Sequence, residues 1–214
     1  MIPGSSAEAR SHVADRIFLL SPAFCGGKRA RLLLNETATF PLAQRLREGP
    51  GIPIGEVFSF VSGLYFRGKL AYANTFSSGL NAGSSPLVIT PTRGLVASDT
   101  LVTRQDLLEF ALVDIAADDV RYRGPVERDV AILAASEVRQ VILLGSIATD
   151  KYTDVLLSHL GERLLFPRDF VGRGDMSRGG LLLRGARAGL ELEYVPVSGA
   201  VLHGRRPPRL ARNS

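Results

Sequence analysis

Short, largely apolar runs recur along the chain at Ile17–Leu20, Leu87–Thr90, Val141–Leu144, Leu164–Phe166 and Leu192–Val195. Each is too short for a buried helix and ends in Pro, Gly or Ser, the pattern of strands buried between layers. Helical spacing fills the intervals. Lys28–Arg47 reads as one or two helices broken around Phe40-Pro41, and Ser62–Phe76, Gln105–Ala111, Glu127–Ser136 and Asp150–Leu160 follow. Pro125 ahead of Glu127 is a Pro-then-acid helix start, and Leu181 onward reads as the last helix. Val57–Val61 fits both periods. Strands alternating with helices of this length predict one layered α/β domain over 15–202, with a largely parallel central sheet flanked by helices. Residues 1–14 are expected to be a flexible N-terminus, 203–214 a basic flexible tail, and Ser77–Ser85 a plain loop.

The strands end in Ser21-Pro22, Thr90-Pro91, Gly145-Ser146 and Phe166-Pro167. In an open parallel sheet such ends share one edge, where ligands bind in a crevice. The loops Cys25–Arg29, Thr92–Gly94, Ser146–Lys151 and Gly172–Gly180 are therefore expected to converge, although Pro and Gly also simply stop strands.

Charge changes the picture more than composition does. The 214 residues carry 26 Lys and Arg against 21 Asp and Glu, a net charge of +5, and Lys28, Lys69 and Lys151 are the only lysines. An arginine-rich positive balance favours a polyanionic partner, since the guanidinium fork suits phosphate. Cys25 alone allows no intrachain disulfide, and His12, His159 and His203 lack metal-ligand spacing, so neither metal nor cofactor is expected. No apolar run is long enough to span a membrane and no signal core precedes Asp15. A soluble, cytoplasmic protein with no membrane partner and no obligatory protein partner is the expectation.

The segment Phe170–Gly180 holds four glycines, Arg173, Arg178 and Asp175 just before the last helix. Glycines admit close anion approach and a helix N-terminus favours negative charge, so Asp175 is the odd member. It is either a chemical group or, like Ser177, a helix cap. Phe24–Arg29 stands where a nucleotide loop would, yet lacks the phosphate-loop spacing and the dinucleotide glycine triplet. An anion site using Lys28 and Arg29 remains, beside the plain alternative of a capped turn. Ser62–Tyr72 interleaves Tyr65 and Tyr72 with Arg67 and Lys69, suited to base stacking and phosphate neutralisation, or equally to a core-facing helix. Cys25 reads as a small apolar filler or a site-lining residue.

Ile17–Ala23, Leu64–Ala73 and Arg93–Thr100, followed by Leu143–Ser146 with Tyr152 and by Gly172–Gly174, resemble the small α/β proteins related to the peroxide-stress protein YaaA. That likeness implies DNA binding. The whole sequence also resembles a divergent bacterial class of uracil-DNA glycosylase, which implies base-excision repair of DNA. The usual Gly-Gln-Asp-Pro-Tyr and His-Pro-Ser segments of glycosylases are absent, so no catalytic residue is carried over by motif. The chemistry required instead nominates residues: a flipped base needs a stacking and edge-reading pocket, for which Phe24, Tyr65, Ser146 and Phe170 are candidates. Positive charge develops on the sugar as the N-glycosidic bond breaks, so a carboxylate is needed, with Asp175 first and Asp150 second. Lys28, Arg29, Arg67, Lys69, Arg93, Arg173 and Arg178 would hold phosphates. The resulting expectation is a monofunctional uracil-DNA glycosylase without metal or cofactor. The alternatives are a non-catalytic DNA-damage or stress DNA-binding protein and a nucleoside N-glycosyl hydrolase or transferase.

Overall fold

A computed structural model describes residues 16–77, 85–116, 118–148 and 150–201, with Gly204 and Pro207. Residues 1–14, most of the Ser77–Ser85 loop and all but two residues of 203–214 lie outside that set. The chain runs β1 (Arg16–Leu20), α1 (Lys28–Leu34), α2 (Pro41–Glu48), β2 (Ile52–Pro53), α3 (Ile54–Ser62), α4 (Leu64–Ser77) and β3 (Leu87–Ile89). It continues through β4 (Leu95–Ala97), β5 (Leu101–Val102), α5 (Arg104–Ala111), α6 (Val120–Ala135), β6 (Gln140–Leu144) and α7 (Asp150–Leu160). The last elements are β7 (Leu164–Pro167), α8 (Asp175–Ala188) and β8 (Tyr194–Pro196).

The architecture is α/β. Among the described residues six strands form one sheet in the order β4-β3-β1-β6-β7-β8, and β2 pairs with β5 apart from it. The four inner strands β3, β1, β6 and β7 are mutually parallel, while both edge strands pair antiparallel. Phe18 to Leu20 and Val141 to Leu144 are buried at the sheet's centre. Parallel strands covered on both sides must be apolar throughout, which is why these runs do not alternate. From β1 the chain crosses to β3 on one side, then returns past β1 to β6 and β7 on the other. That reversal makes the carboxyl ends of β1 and β6 the sheet's switch point, where such folds open a crevice.

Several expectations are corrected here. The Val57–Val61 ambiguity resolves as helix, because Val57 and Phe58 face the core from α3 while Phe60 stacks on Phe40 at 5.3 Å. Pro125 does not start its helix but lies inside α6, which begins at Val120 behind an Asp119 cap whose side chain accepts the Arg121 N–H. Pro41 does open α2, where the missing N–H is harmless. The final helix begins at Asp175 rather than Leu181, so half of the glycine-rich loop is helix.

That helix explains one of the loop's four glycines, Gly179. A Cβ on Gly68 would stand 2.6 Å from the Gly179 carbonyl oxygen, and one on Gly179 would stand 2.8 Å from Leu64 O and from the Tyr65 Cα. The α4 and α8 backbones therefore touch directly at Gly68 and Gly179. These residues permit helix packing and do not cradle an anion.

A candidate active site at the switch point

A cavity of about 830 Å³ opens over the ends of β1 and β6. Ser21–Cys25 follow β1, Ser146 follows β6, Pro91 follows β3, Asp150–Tyr152 begin α7 and Asp175 begins α8, and all reach its wall. The strand-end loops thus meet at one rim. Phe24 is 71% exposed there, and Tyr65 reaches the same space from α4 while remaining 7% exposed.

Beneath the wall sits a group that the sequence reading assigned to phosphate. Lys69 is 1% exposed and cannot meet a backbone phosphate. Its Nζ donates to the Ser21 carbonyl oxygen and, at 2.9 Å, to Ser21 Oγ. It also lies 4.6 Å from the Tyr65 ring centre and 4.7 Å from that of Phe66. Burial pulls the ammonium down to about 7, opposed by the Asp175 charge. Lys69 belongs to the buried stripe Tyr65, Phe66, Lys69, Tyr72 and Ala73, the 1-2-5-8-9 spacing of one helix face. That spacing was the available signal that its side chain points inward.

Ser21 and Tyr152 complete this inner layer, and neither was singled out from the sequence as chemical. Ser21 Oγ donates weakly to Leu144 O at 3.3 Å. Burial pushes the Tyr152 hydroxyl up, opposed by the Ser21 side chain and the Ser146 backbone, which favour its charged form. Gly145 keeps the space open, since a Cβ there would come within 2.9 Å of Ser21 Cβ and 3.0 Å of Tyr152 Oη. A polar residue closing a buried strand, as Ser21 closes β1, was the only sequence cue. The Tyr65 hydroxyl is buried without a hydrogen-bond partner, and burial pushes its pKa up against the pull of Arg178.

Other nominated residues are redirected. Phe170 is 1% exposed, edge-on to Tyr65 at 6.4 Å, so it supports the wall and stacks no base. Arg178 is buried over the Phe170 ring, its Nε donates to Phe170 O at 3.2 Å, and it pairs with Asp175 at 3.6 Å. It positions Asp175 and is not available to clamp phosphate. Arg173 is tied to Asp169 O and Ser177 Oγ. Arg93 lies in the β3–β4 hairpin turn and pairs with Asp106, whose carboxylate also caps α5 through Thr103. Arg67 lines a separate cavity with Glu56 and Asp99. Lys28 and Arg29 remain exposed at the start of α1, with the Arg29 guanidinium over Gly63. Cys25 lines the cavity but is buried, and burial pushes its thiol up to about 12, the setting of an inert cysteine.

The wall is therefore acidic where a cationic one was expected. Asp114, Asp118, Asp150 and Asp175 face the cavity, with Lys151 as the one cation among the described lining residues. Among the described residues no group of three or more His, Cys, Asp and Glu is arranged to hold a metal ion, and no helix is long and apolar enough to cross a membrane. Comparison with family models, with curated proteins and with solved structures returned no match.

Proposed function

We propose that this cavity hydrolyses the N-glycosidic bond of a nucleotide unit whose base it encloses, with uracil in DNA as the substrate. One observation carries the reading: Asp150 and Asp175, at the first residues of α7 and α8, share a single wall with Phe24, Tyr65 and Ser146. Bond cleavage builds positive charge on the sugar, which a nearby carboxylate stabilises while it orients the attacking water. The exposed Phe24 ring offers a face for the base, and Ser146 offers polar groups for its edge. Arg178 pairs with Asp175 at 3.6 Å, and the Phe170 ring backs Tyr65 edge-on.

A second reading, hydrolysis of a free nucleoside, is favoured by the four wall carboxylates, which repel a phosphate backbone. Incubation with a uracil-containing oligonucleotide and, separately, with 2′-deoxyuridine tests both, with free uracil measured by mass spectrometry. Uracil release from the oligonucleotide supports repair, and release from the nucleoside alone supports the second reading. Intact substrates at every pH and salt concentration would end both. Asp175→Asn is expected to lower turnover by roughly 10²-fold or more, as loss of a positioned acid–base group does, with binding little changed. Unchanged turnover removes Asp175 from the chemistry.

A further inference from the structure

We propose that Ser21 and Lys69 form a proton-delivery pair for the departing base, Ser21 touching the base and Lys69 recharging Ser21 from below. The proposal rests on the N-glycosidic reading and names a part of that site not assigned so far. Ser21 reaches the cavity wall, whereas Lys69 does not line it and meets the wall through Ser21 Oγ at 2.9 Å. A lysine buried to this degree is costly without a carboxylate partner within ion-pair distance, and none of the described salt bridges includes Lys69. Among the described residues its close contacts are the Ser21 carbonyl, the Ser21 hydroxyl and two ring faces, with the Asp175 charge acting from beyond ion-pair distance. With Leu144 O 3.3 Å away and already accepting the Ser21 N–H, and Tyr152 also drawing on the Ser21 side chain, the Ser21 hydrogen is not fixed on one strong acceptor. It can turn toward the cavity while Oγ still accepts from Lys69. Tyr65 lines the same cavity, and its hydroxyl hydrogen, with no acceptor among the described residues, can donate to the bound base.

The step balances. The C1′–N bond breaks with its electron pair passing to the base, which takes the Ser21 proton. Ser21 Oγ takes a proton from the Lys69 ammonium, leaving a neutral amine. Water adds to C1′ and gives its proton to the Asp175 carboxylate, so nucleoside and water become free base and sugar. Solvent then returns a proton to Lys69 through Ser21 and removes one from Asp175. The titratable groups that act on Lys69 are Tyr65 on its own helix and Asp175 on α8, with Tyr152 on α7 meeting it through Ser21, Arg178 through Asp175, and Cys25 on the same cavity wall. Burial holds the tyrosines and the thiol neutral across the working range. Lys69, drawn down to about 7 by burial, is the group expected to carry a change of rate near that pH.

The experiment compares wild type, Ser21→Ala and Lys69→Met on the uracil substrate and on a nitrophenyl 2-deoxyriboside, whose leaving group departs without a proton. The relay predicts that both variants lose roughly 10²- to 10⁴-fold on uracil and at least tenfold less than that on the nitrophenyl compound. Wild-type uracil release should fall as pH rises through about 7, and nitrophenolate release should not. Equal losses on both substrates overturn the relay. A ¹³C-lysine titration needs no substrate and no variant, and with only three lysines it is readily assigned. A Lys69 signal that titrates together with Lys28 and Lys151 also overturns the relay, leaving the N-glycosidic reading intact. A wild type inactive on both substrates overturns the N-glycosidic reading itself and, with no leaving group to protonate, the relay too.

Discussion

The Tyr65 hydroxyl is buried with no partner, an arrangement that costs about 1–3 kcal/mol in a folded protein. Tyr65→Phe removes that cost and leaves the ring contacts with Phe170 and Lys69 in place. The variant is expected to be more stable by about 1 kcal/mol in urea unfolding while its KM for the uracil substrate rises. Lost stability would mean that the hydroxyl is already satisfied in the resting protein. Lys69 gives a second test at the same scale. Its folded pKa lies below the unfolded value, so between about pH 7 and the ordinary lysine range the unfolded chain binds more protons. Stability contributed at this residue therefore rises with pH across that window, by up to about 1.4 kcal/mol per unit, and is lowest in the window below about pH 7. Unfolding curves from about pH 7 to 9, below the tyrosine range, should show this rise in the wild type and a flatter profile in Lys69→Met. Parallel profiles would mean that Lys69 is not held neutral. Phe24, Tyr65, Ser146, Asp150 and Asp175 were legible as residues that meet at one cavity because each lies in or beside a strand-end loop or aromatic segment. Lys69 was misread because charge alone does not tell which helix face a side chain occupies.

At the level of elements, the site depends on how closely α4 approaches α8, since Tyr65 and Lys69 ride on one and Asp175 and Arg178 on the other. Gly68 and Gly179 set that distance. Gly68→Ala and Gly179→Ala each force a Cβ to within 2.6 Å and 2.8 Å of backbone on the facing helix, atoms that cannot move aside alone. Each is expected to cost roughly 1–3 kcal/mol, as overpacking of a tight core does, and to depress activity more than stability by spreading the two halves of the site. Gly124→Ala in α6 is the control for helix contact: beyond its chain neighbours a Cβ there meets nothing within 4 Å, and the change should stay within about 1 kcal/mol, since the gain in helix propensity is offset by the restriction Pro125 places on the residue before it. Thermal unfolding compared across the three variants decides it, and a neutral Gly179→Ala would remove the helix contact from the argument. The strands and most helices were legible in the sequence from their periodicity. The glycines of α8 were not, because a glycine needed for backbone contact reads the same as one needed for a turn. The edge hairpin was hidden for a related reason: β4 spans only Leu95–Ala97, and its register is set by Asp129 on α6 accepting the Leu95 N–H at 2.9 Å.

Across the whole molecule a net charge of +5 coexists with an acidic cavity, and the two imply different partners. The distribution matters more than the sum. Of the cations nominated for phosphate, Lys69 and Arg178 are buried, Arg93 is paired with Asp106, Arg173 is tied to its own loop and Arg67 faces a different cavity. Lys28 and Arg29 remain beside the cavity-lining β1 loop, with Lys151 on the wall itself. Counterion release gives a slope of about −0.9 in log K against log salt for each phosphate neutralised on duplex DNA. Seven working cations would give a slope near −6, whereas the free ones give roughly −2 to −3. Fluorescence anisotropy of a labelled uracil-containing duplex, titrated between about 50 and 200 mM salt, reads this number directly. The shallow slope is the expected outcome, reduced further in Lys28→Ala/Arg29→Ala. A slope near −6 would require the tied arginines to turn outward on binding, and would make DNA recognition a property of a rearranged rim. Cleavage of free 2′-deoxyuridine carries no phosphate and should be indifferent to the same salt series. An enzyme steeply salt-dependent on DNA and insensitive on the nucleoside would place its selectivity at the rim and its chemistry at Ser21, Lys69 and Asp175.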